Sequence, residues 1–195
     1  MGLKDYFLNE TGYLGVPCSF LRPADWKARE IGNDDYKAIF IEGPRNQAGT
    51  YTVSLVVAAL LTSEPTLEKA ASSLIARYRS AFDCTVLAQT DGIVARRTAV
   101  ELEISFSMLL PPNEVNPQQT AIRERHIFLL QGGQIFEFTY SAPDEDYATW
   151  LEAFHILVQT FSFTEDAQKT TLFSLVGDVQ PSTTTSNDEE DKGNK

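Results

Sequence analysis

The alternation of apolar and polar side chains between Val100 and Met108 is the feature that most constrains how this chain can fold. A period of two residues sends successive side chains to opposite faces of a β-strand, so one face of this segment is buried and the other is largely hydrated. The apolar positions are Val100, Leu102, Ile104, Phe106 and Met108. Asp91-Gly92 favours a two-residue turn, which predicts a hairpin pairing residues 84–90 with residues 93–109.

A second hairpin is predicted at Gly132-Gly133, which separates residues 122–130 from residues 134–140. With a two-residue loop, Gln131 faces Gln134, and this pair sets the register of all the others. One face then pairs Leu129 with Phe136, Ile127 with Phe138, and Arg125 with Tyr140, and the other pairs Phe128 with Glu137 and His126 with Thr139.

Further strands and two helices complete an α+β pattern. Strands are predicted at residues 13–21, 36–42 and 51–62, and helices at residues 66–82 and 143–160. In the later part of the third strand, odd and even positions are both apolar, as in a strand covered on both faces. In both helical segments apolar residues recur every three or four positions, and Thr66 is a suitable N-cap for the first.

The chain divides into one domain, residues 1–163, and a tail, residues 164–195. The tail is acidic and rich in Ser and Thr, and it has too little apolar surface to offset the entropy of ordering, so we predict that it is largely disordered. The net charge is −11, of which seven acidic and three basic tail residues account for −4 and the domain for −7. Such acidity repels phosphate backbones and argues against binding to nucleic acid.

No targeting or membrane-spanning segment is predicted. The longest mainly apolar run, residues 53–61, is about half the length that a membrane-spanning helix needs. Residues 1–6 lack the basic and apolar regions of a signal peptide, so we expect a cytoplasmic protein. Cys18 and Cys84 are expected to be small buried thiols, with one disulfide as the alternative if their Cα atoms lie within about 7 Å.

Candidate chemistry is sparse, so we expect no enzyme, no cofactor and no metal. His126 shares a predicted sheet face with Glu124 and Glu137, and we interpret this group as a half-exposed polar patch in preference to a set of metal ligands. Neither histidine lies in a metal motif, no Gly-x-Ser-x-Gly elbow occurs, and neither cysteine has a basic neighbour in sequence. The glycine-containing loops connect strands, which argues against nucleotide binding.

Arginines and tryptophans supply the other candidates. Arg125 opposite Tyr140 allows a guanidinium to stack on a ring. The arginines near the two predicted hairpins are Arg96, Arg97, Arg123 and Arg125. They form either a patch for an anion or acidic partner or, as we favour, cross-strand pairs with Glu101 or Glu103. Trp26 and Trp150 are either interface anchors or, more commonly, side chains packed at the edge of the core.

Two stretches of the sequence resemble the PsbP-like superfamily. Phe20 followed by Pro23-Ala24-Asp25-Trp26 is similar to an opening in which an aromatic residue precedes P-x-x-W. The closing stretch has a hairpin with Arg125-His126-Ile127-Phe128 and Gly133-Gln134-Ile135-Phe136-Glu137-Phe138, then Tyr140-Ser141-Ala142, a helix through Trp150 and Phe154, and Phe161-Ser162-Phe163. The superfamily includes photosystem II extrinsic proteins, a Ran-binding nuclear import factor and bacterial DcrB-like proteins, among them chaperones for secreted effectors.

The resemblance, which spans residues 13–163, implies an α/β/α sandwich in which about six mostly antiparallel strands lie between helices. It also implies a non-enzymatic role in binding or assembly. The absence of a lumenal or lipoprotein leader and the added acidic tail argue against a photosynthetic role, and the resemblance transfers no binding residue by position.

We therefore predict an accessory or assembly module that binds another protein through one sheet face or residues 111–120, with a homodimer possible. The candidate binding residues are Arg125, Tyr140, His126, Glu137 and Trp26. One alternative is a secretion-effector chaperone that shields apolar helices. Another is a small-ligand carrier with a pocket under the C-terminal helix, bordered by Arg125, Tyr140 and His126.

Overall fold

A long antiparallel sheet forms the centre of the protein. The computed structural model describes residues 1–8, 13–33, 36–60, 65–111 and 116–165. The strands are β1 (Leu3–Leu8), β2 (Cys18–Pro23), β3 (Lys27–Gly32), β4 (Tyr36–Arg45), β5 (Thr52–Leu60), β6 (Thr85–Val94), β7 (Arg97–Leu110), β8 (Gln118–Gln131), β9 (Gln134–Pro143) and β10 (Ser162–Phe163), and the helices are α1 (Leu67–Ala81) and α2 (Asp144–Thr160).

The main sheet has the strand order β3-β4-β5-β9-β8-β7-β6, and a smaller sheet has the order β1-β2-β10. All neighbouring strands are antiparallel. The predicted α+β class and the mostly antiparallel sheet are confirmed, but the main sheet has seven strands where about six were expected. The predicted strands do not include β1, β3 or the two-residue β10.

The helices lie on opposite faces of the main sheet. The α1 face carries Leu102, His126 and Thr139, and the α2 face carries Ile127 and Phe138. On the α1 face, α1 packs mainly on β7 and β8, whereas α2 and the small sheet cover the other face. Each face has its own apolar core, as the predicted α/β/α sandwich requires.

The β8–β9 hairpin has the predicted register. Gln131 pairs with Gln134, and every predicted pair across these strands is present. Gly132 and Gly133 have φ values of 58° and 80°, and glycine adopts this left-handed conformation without the steric cost that a Cβ atom brings. The local sequence was therefore sufficient to determine this part of the sheet.

The β6–β7 turn lies elsewhere than predicted. Val94 pairs with Arg97, so Ala95 and Arg96 form the turn, with φ values of 47° and 62°. Asp91 and Gly92 continue β6, because the strands stay paired for two residues beyond them. Arg97 stabilises the observed turn by donating a hydrogen bond to the Ala95 carbonyl, a contact that the sequence pattern does not reveal.

Both predicted helices are present. Thr66 caps α1, since its side chain accepts a hydrogen bond from the Lys69 amide at 3.1 Å. The two cysteines are free, with Cys18 in the core of the α2 face and Cys84 against the core of the α1 face, so the disulfide alternative is wrong.

Part of the predicted organisation lies outside the described residues. These include residues 166–195, nearly all of the predicted tail, so the domain end near residue 163 stays a prediction. Residues 112–115 of the predicted loop 111–120 are also outside, and Gln118 begins β8.

Candidate functional site: a cleft with a buried ionic cluster

The structure does not bring the five candidate residues together. Arg125 and Tyr140 lie on the α2 face, whereas His126 and Glu137 lie on the α1 face. Neighbouring residues of a strand point to opposite faces, so a single pocket bordered by Arg125, Tyr140 and His126 cannot form. Trp26 lies in the turn between β2 and β3, in contact with the core of the α2 face.

Trp26 packs at the edge of that core. It is 4% exposed and meets the Trp150 ring edge-on, with ring centroids 6.0 Å apart. Gly43 lies directly beneath it, and a Cβ atom there would come within 2.8 Å of the indole. This is the core-edge packing that we considered the commoner case.

Two of the candidate arginines, Arg123 and Arg125, are paired with carboxylates on the α2 face, whereas Arg97 donates hydrogen bonds to the Gln131 side chain and the Ala95 carbonyl. Arg125 binds Glu101, its Nε lying 2.7 Å from Oε1, and Arg123 binds Glu103. Both contacts are diagonal across β7 and β8, since Arg125 stands directly opposite Glu103 in register. The favoured cross-strand pairing is therefore present, and it neutralises the charge that an anion patch would need.

Most of the space under α2 is filled. Tyr140 is fully buried and donates a hydrogen bond to the Tyr147 carbonyl at 2.6 Å, and its ring contacts those of Tyr147 and Phe154. A cavity of about 210 Å³ lies beside the helix and is bordered by Arg125, but by neither Tyr140 nor His126.

An ionic cluster of three residues is buried on the α1 face. His126 is 1% exposed, and Glu124 and Glu137 are 7% and 8% exposed. The imidazole lies between the two carboxylates: Nδ1 is 2.9 Å from Oε1 of Glu137, and Nε2 is 3.1 Å from Oε2 of Glu124. The predicted grouping is correct, but the prediction of a half-exposed patch is wrong, because Tyr78 of α1 packs against the His126 ring and hydrogen-bonds to Glu124.

Hydroxyl groups of β9, of α1 and of Tyr51 just before β5 complete the cluster. Glu124 accepts hydrogen bonds from Tyr78 of α1 and, at 2.7 Å, from Ser141, which in turn lies 2.5 Å from the Tyr51 hydroxyl. Thr139 donates to Oε1 of Glu137 at 3.3 Å. Tyr51, Tyr78 and Ser141 were not predicted as members of the cluster, although a tyrosine in an apolar helix stripe must find a partner for its hydroxyl when buried.

The environment keeps His126 charged. Burial by itself lowers the pKa of an imidazole, but hydrogen bonds and the negative charges of Glu124 and Glu137 raise the pKa of His126 to about 9. Burial raises the pKa of a carboxyl group, yet hydrogen bonds from His126, Tyr78 and Ser141 hold that of Glu124 below its usual value. At neutral pH the cluster is thus an imidazolium between carboxylates.

A cleft opens beside the cluster, because α1 packs mainly on β7 and β8 and leaves the same face of β4 and β5 largely uncovered. We call it the α1-face cleft. It consists of two adjoining cavities of about 310 and 320 Å³ that share Leu60, Arg77 and Glu137. The first is a mainly apolar slot between α1 and β9. The second is lined by four aromatic residues and the cluster, namely Tyr36, Phe40, Tyr51, Tyr78, Glu124, His126 and Glu137.

Glu137 has one oxygen atom available to the cleft. Its Oε1 accepts hydrogen bonds from His126 and Thr139, whereas within the described part of the chain no donor hydrogen-bonds to Oε2. Arg77 stands at the rim on α1, exposed, with its guanidinium 5.7 Å from the Tyr78 ring centroid. Among the described residues it forms no ion pair, although it lines both cavities with Glu137.

This arrangement suits binding better than proton transfer. A general acid or base works best with a pKa near the ambient pH, and both ring nitrogens of His126 are already held by carboxylates. Within the described ranges, no group of three or more His, Cys, Asp or Glu side chains has a geometry suited to a metal ion.

Comparisons with known proteins identify the fold. No protein-family model and no curated protein matches the chain. Among solved structures it is similar to LpqN, which is involved in cell envelope biogenesis of Mycobacterium tuberculosis, with 11% identity, a TM-score of 0.52, and 83% of this chain and 91% of that one covered. It is also similar to cyanobacterial PsbP (CyanoP) from Synechocystis, with 13% identity, a TM-score of 0.51, and 83% and 92% covered.

Neither helix of the described chain has the length and hydropathy needed to cross a bilayer. At these identities, the similarity to solved structures concerns the fold, and it agrees with the resemblance seen in the sequence. The chain has a PsbP-like fold.

Proposed function

We propose that this protein is a non-enzymatic accessory module that binds another protein through the α1-face cleft. The observation that carries the proposal is the fixed, fully charged cluster at the base of the cleft. Its groups are hydrogen-bonded in place before any ligand arrives, which lowers the cost of ordering a binding site. One fold hosts many unrelated functions, so the proposal depends on the cleft and not on the fold neighbours.

The α1-face cleft is a better candidate than the surface around α2. On the α2 face, Arg123 and Arg125 are neutralised by Glu103 and Glu101, and aromatic rings fill the interior. On the α1 face, Phe40, Val56 and Tyr36 are half-buried side chains of the sheet that α1 does not cover. Aromatic side chains are enriched at the centre of protein interfaces.

Two matched substitutions test the proposal. Val56→Arg fills the floor of the cleft, whereas Ile93→Arg makes the same kind of change on β6, where Ile93 is 80% exposed beside the α2-side cavity. The tagged wild-type protein should capture a stoichiometric partner from a lysate of its source cells. Val56→Arg should abolish the capture and Ile93→Arg should preserve it, with circular dichroism confirming that both variants are folded.

Equal capture by both variants would show that the cleft is not the binding surface, and the absence of any stoichiometric partner for the wild type would refute the protein-binding role. The cytoplasmic location expected from residues 1–6 stays a prediction.

A further inference from the structure

We propose that the α1-face cleft accepts a lysine or arginine side chain of the partner protein, which pairs with Glu137 between aromatic walls. This inference rests on the proposed function, because it names the chemistry of the group that enters the same cleft. Three independent features support it: the charge of the cluster, the aromatic lining and the overall charge of the protein.

The cluster has a surplus of negative charge. Two carboxylates surround one imidazolium, so the three groups together carry a charge of −1. Glu124 uses both of its oxygens, which accept hydrogen bonds from His126, Tyr78 and Ser141. The surplus is therefore available at Oε2 of Glu137, and a carboxylate that is 8% exposed gains strongly from an N–H donor.

The walls beside Glu137 are aromatic, and two of them already carry guanidinium groups. The Cζ of Arg29 lies 4.8 Å from the Phe40 ring centroid, and that of Arg77 lies 5.7 Å from the Tyr78 centroid. The two rings line the same cavity. Cations bind to the faces of aromatic rings through the ring quadrupole, so a basic side chain that enters the cleft meets rings on its way to the carboxylate.

The charge of the whole molecule favours the same partner. The net charge of −11 attracts a basic surface and accelerates its association at low ionic strength. Arg125 and Arg123 on the α2 face do not oppose this, because Glu101 and Glu103 neutralise them.

Substitution of Arg77 tests whether the group that binds in the cleft is positively or negatively charged. Its guanidinium stands at the rim of the cleft near the proposed cation, and like charges repel. Replacing Arg77 with Ala should therefore strengthen the binding of a basic side chain. If the cleft instead bound a carboxylate or phosphate, Arg77 would be its principal contact and the same substitution would weaken binding.

The experiment is an NMR titration of the full-length ¹⁵N-labelled protein with three capped pentapeptides of the form Gly-Gly-X-Gly-Gly, in which X is lysine, norleucine or glutamate. The lysine peptide should shift the amide signals of Val56, Glu137 and Thr139, and the norleucine peptide should bind about tenfold more weakly because it lacks the ammonium group. Glu137→Gln should weaken the binding of the lysine peptide by a similar factor. Glu103→Gln, a carboxylate change on the α2 face, should leave it unchanged.

Tighter binding of the glutamate peptide, weaker binding of the lysine peptide to Arg77→Ala, or no shift at the cleft with any peptide would each overturn the inference. The norleucine comparison and the Arg77→Ala variant do not depend on whether Glu137→Gln folds. The proposed function is judged separately by Val56→Arg and Ile93→Arg. If the cleft captured a partner but did not bind the lysine peptide, only the inference that a basic side chain enters the cleft would be refuted.

Discussion

The two faces of the main sheet are formed by the same strands but differ in how their side chains pack and where their charges lie. On the α2 face, aromatic rings from β9, α2 and β10 fill the interior, and the ion pairs of Arg123 and Arg125 stay near the surface. The buried Arg22 of β2 donates hydrogen bonds to the backbone carbonyls of Pro23 and Trp26. On the α1 face, a helix covers only part of the sheet and an imidazolium lies buried between two carboxylates beside an open cleft. A buried ionic cluster is expensive to form and adds little net stability. Under the proposed function, the α2 face mainly supplies stability and the α1-face cleft supplies the binding site.

The largest expected effect is a loss of packing on the α2 face. Phe138 is fully buried, with its ring 4.7 Å from that of Phe161, and Phe138→Ala should lower the free energy of unfolding by about 4 kcal/mol because it leaves a cavity. Val56→Ala, in the floor of the cleft, should cost only about 1 kcal/mol, since this side chain is half-buried. Urea unfolding measures both, and equal losses would contradict the division between the faces.

The next effect is a loss of stability at alkaline pH. The pKa of His126 is raised from 6.5 to about 9 on folding, so its contribution is complete below pH 6.5 and disappears as the pH rises through 9. The free energy of unfolding should fall by on the order of 3 kcal/mol across this range. The pKa of Glu124 is lowered, so its contribution is lost on the acid side, as the pH falls below 4.5.

Unfolding curves from pH 4 to 10 measure this profile, and His126→Gln should flatten its alkaline side. If the wild type and His126→Gln lost stability in parallel between pH 6.5 and 9, the buried imidazolium would not be the cause.

A smaller effect is expected at the edge of the α2 face. In Gly43→Ala the new Cβ atom would lie 2.8 Å from the Trp26 ring, which is rigid and buried, and the forced shift should cost about 2 kcal/mol. Gly92→Ala in β6 meets no atom within 4 Å and serves as the control, with a change of about 0.5 kcal/mol or less. Thermal unfolding distinguishes the two, and equal stability of both variants would mean that Trp26 is loosely packed.

The smallest effect concerns the ion pair of Arg125 with Glu101. Both side chains are about a quarter exposed, so a double-mutant cycle with Arg125→Ala and Glu101→Ala should give a coupling energy of about 0.5 kcal/mol. A coupling energy above about 2 kcal/mol would mean that this ion pair behaves like a buried one, and the two faces would then not differ in the strength of their ionic interactions.

Local patterns predicted the parts of the fold that depend on local interactions. The β8–β9 register follows from two glycines, and α1 follows from its apolar spacing and Thr66. β3 was not predicted because it is an exposed edge strand with the sequence Lys-Ala-Arg-Glu-Ile-Gly, which has no apolar alternation. The β6–β7 turn was misplaced because Ala95 and Arg96 adopt positive φ values with no glycine to signal them.

The candidate site was predictable only in part. The hairpin register places His126, Glu124 and Glu137 on one face, but their burial depends on Tyr78 and Tyr51, which lie 46 residues before Glu124 and 90 residues before Ser141 along the chain. Such contacts are set by the packing of α1 and β5 on the sheet, and no spacing rule within the hairpin reveals them. The charge state of His126 depends on that burial and was therefore beyond the sequence.

The most direct measurement is the side-chain ¹⁵N NMR spectrum of His126 between pH 5 and 10, assigned with His155→Gln to remove the other histidine. A fixed ionic cluster predicts that both ring nitrogens carry protons at pH 7.5 and that the ring titrates near pH 9. A ring that is already neutral at pH 7 would contradict the account, because the cleft would then contain a base available for proton transfer.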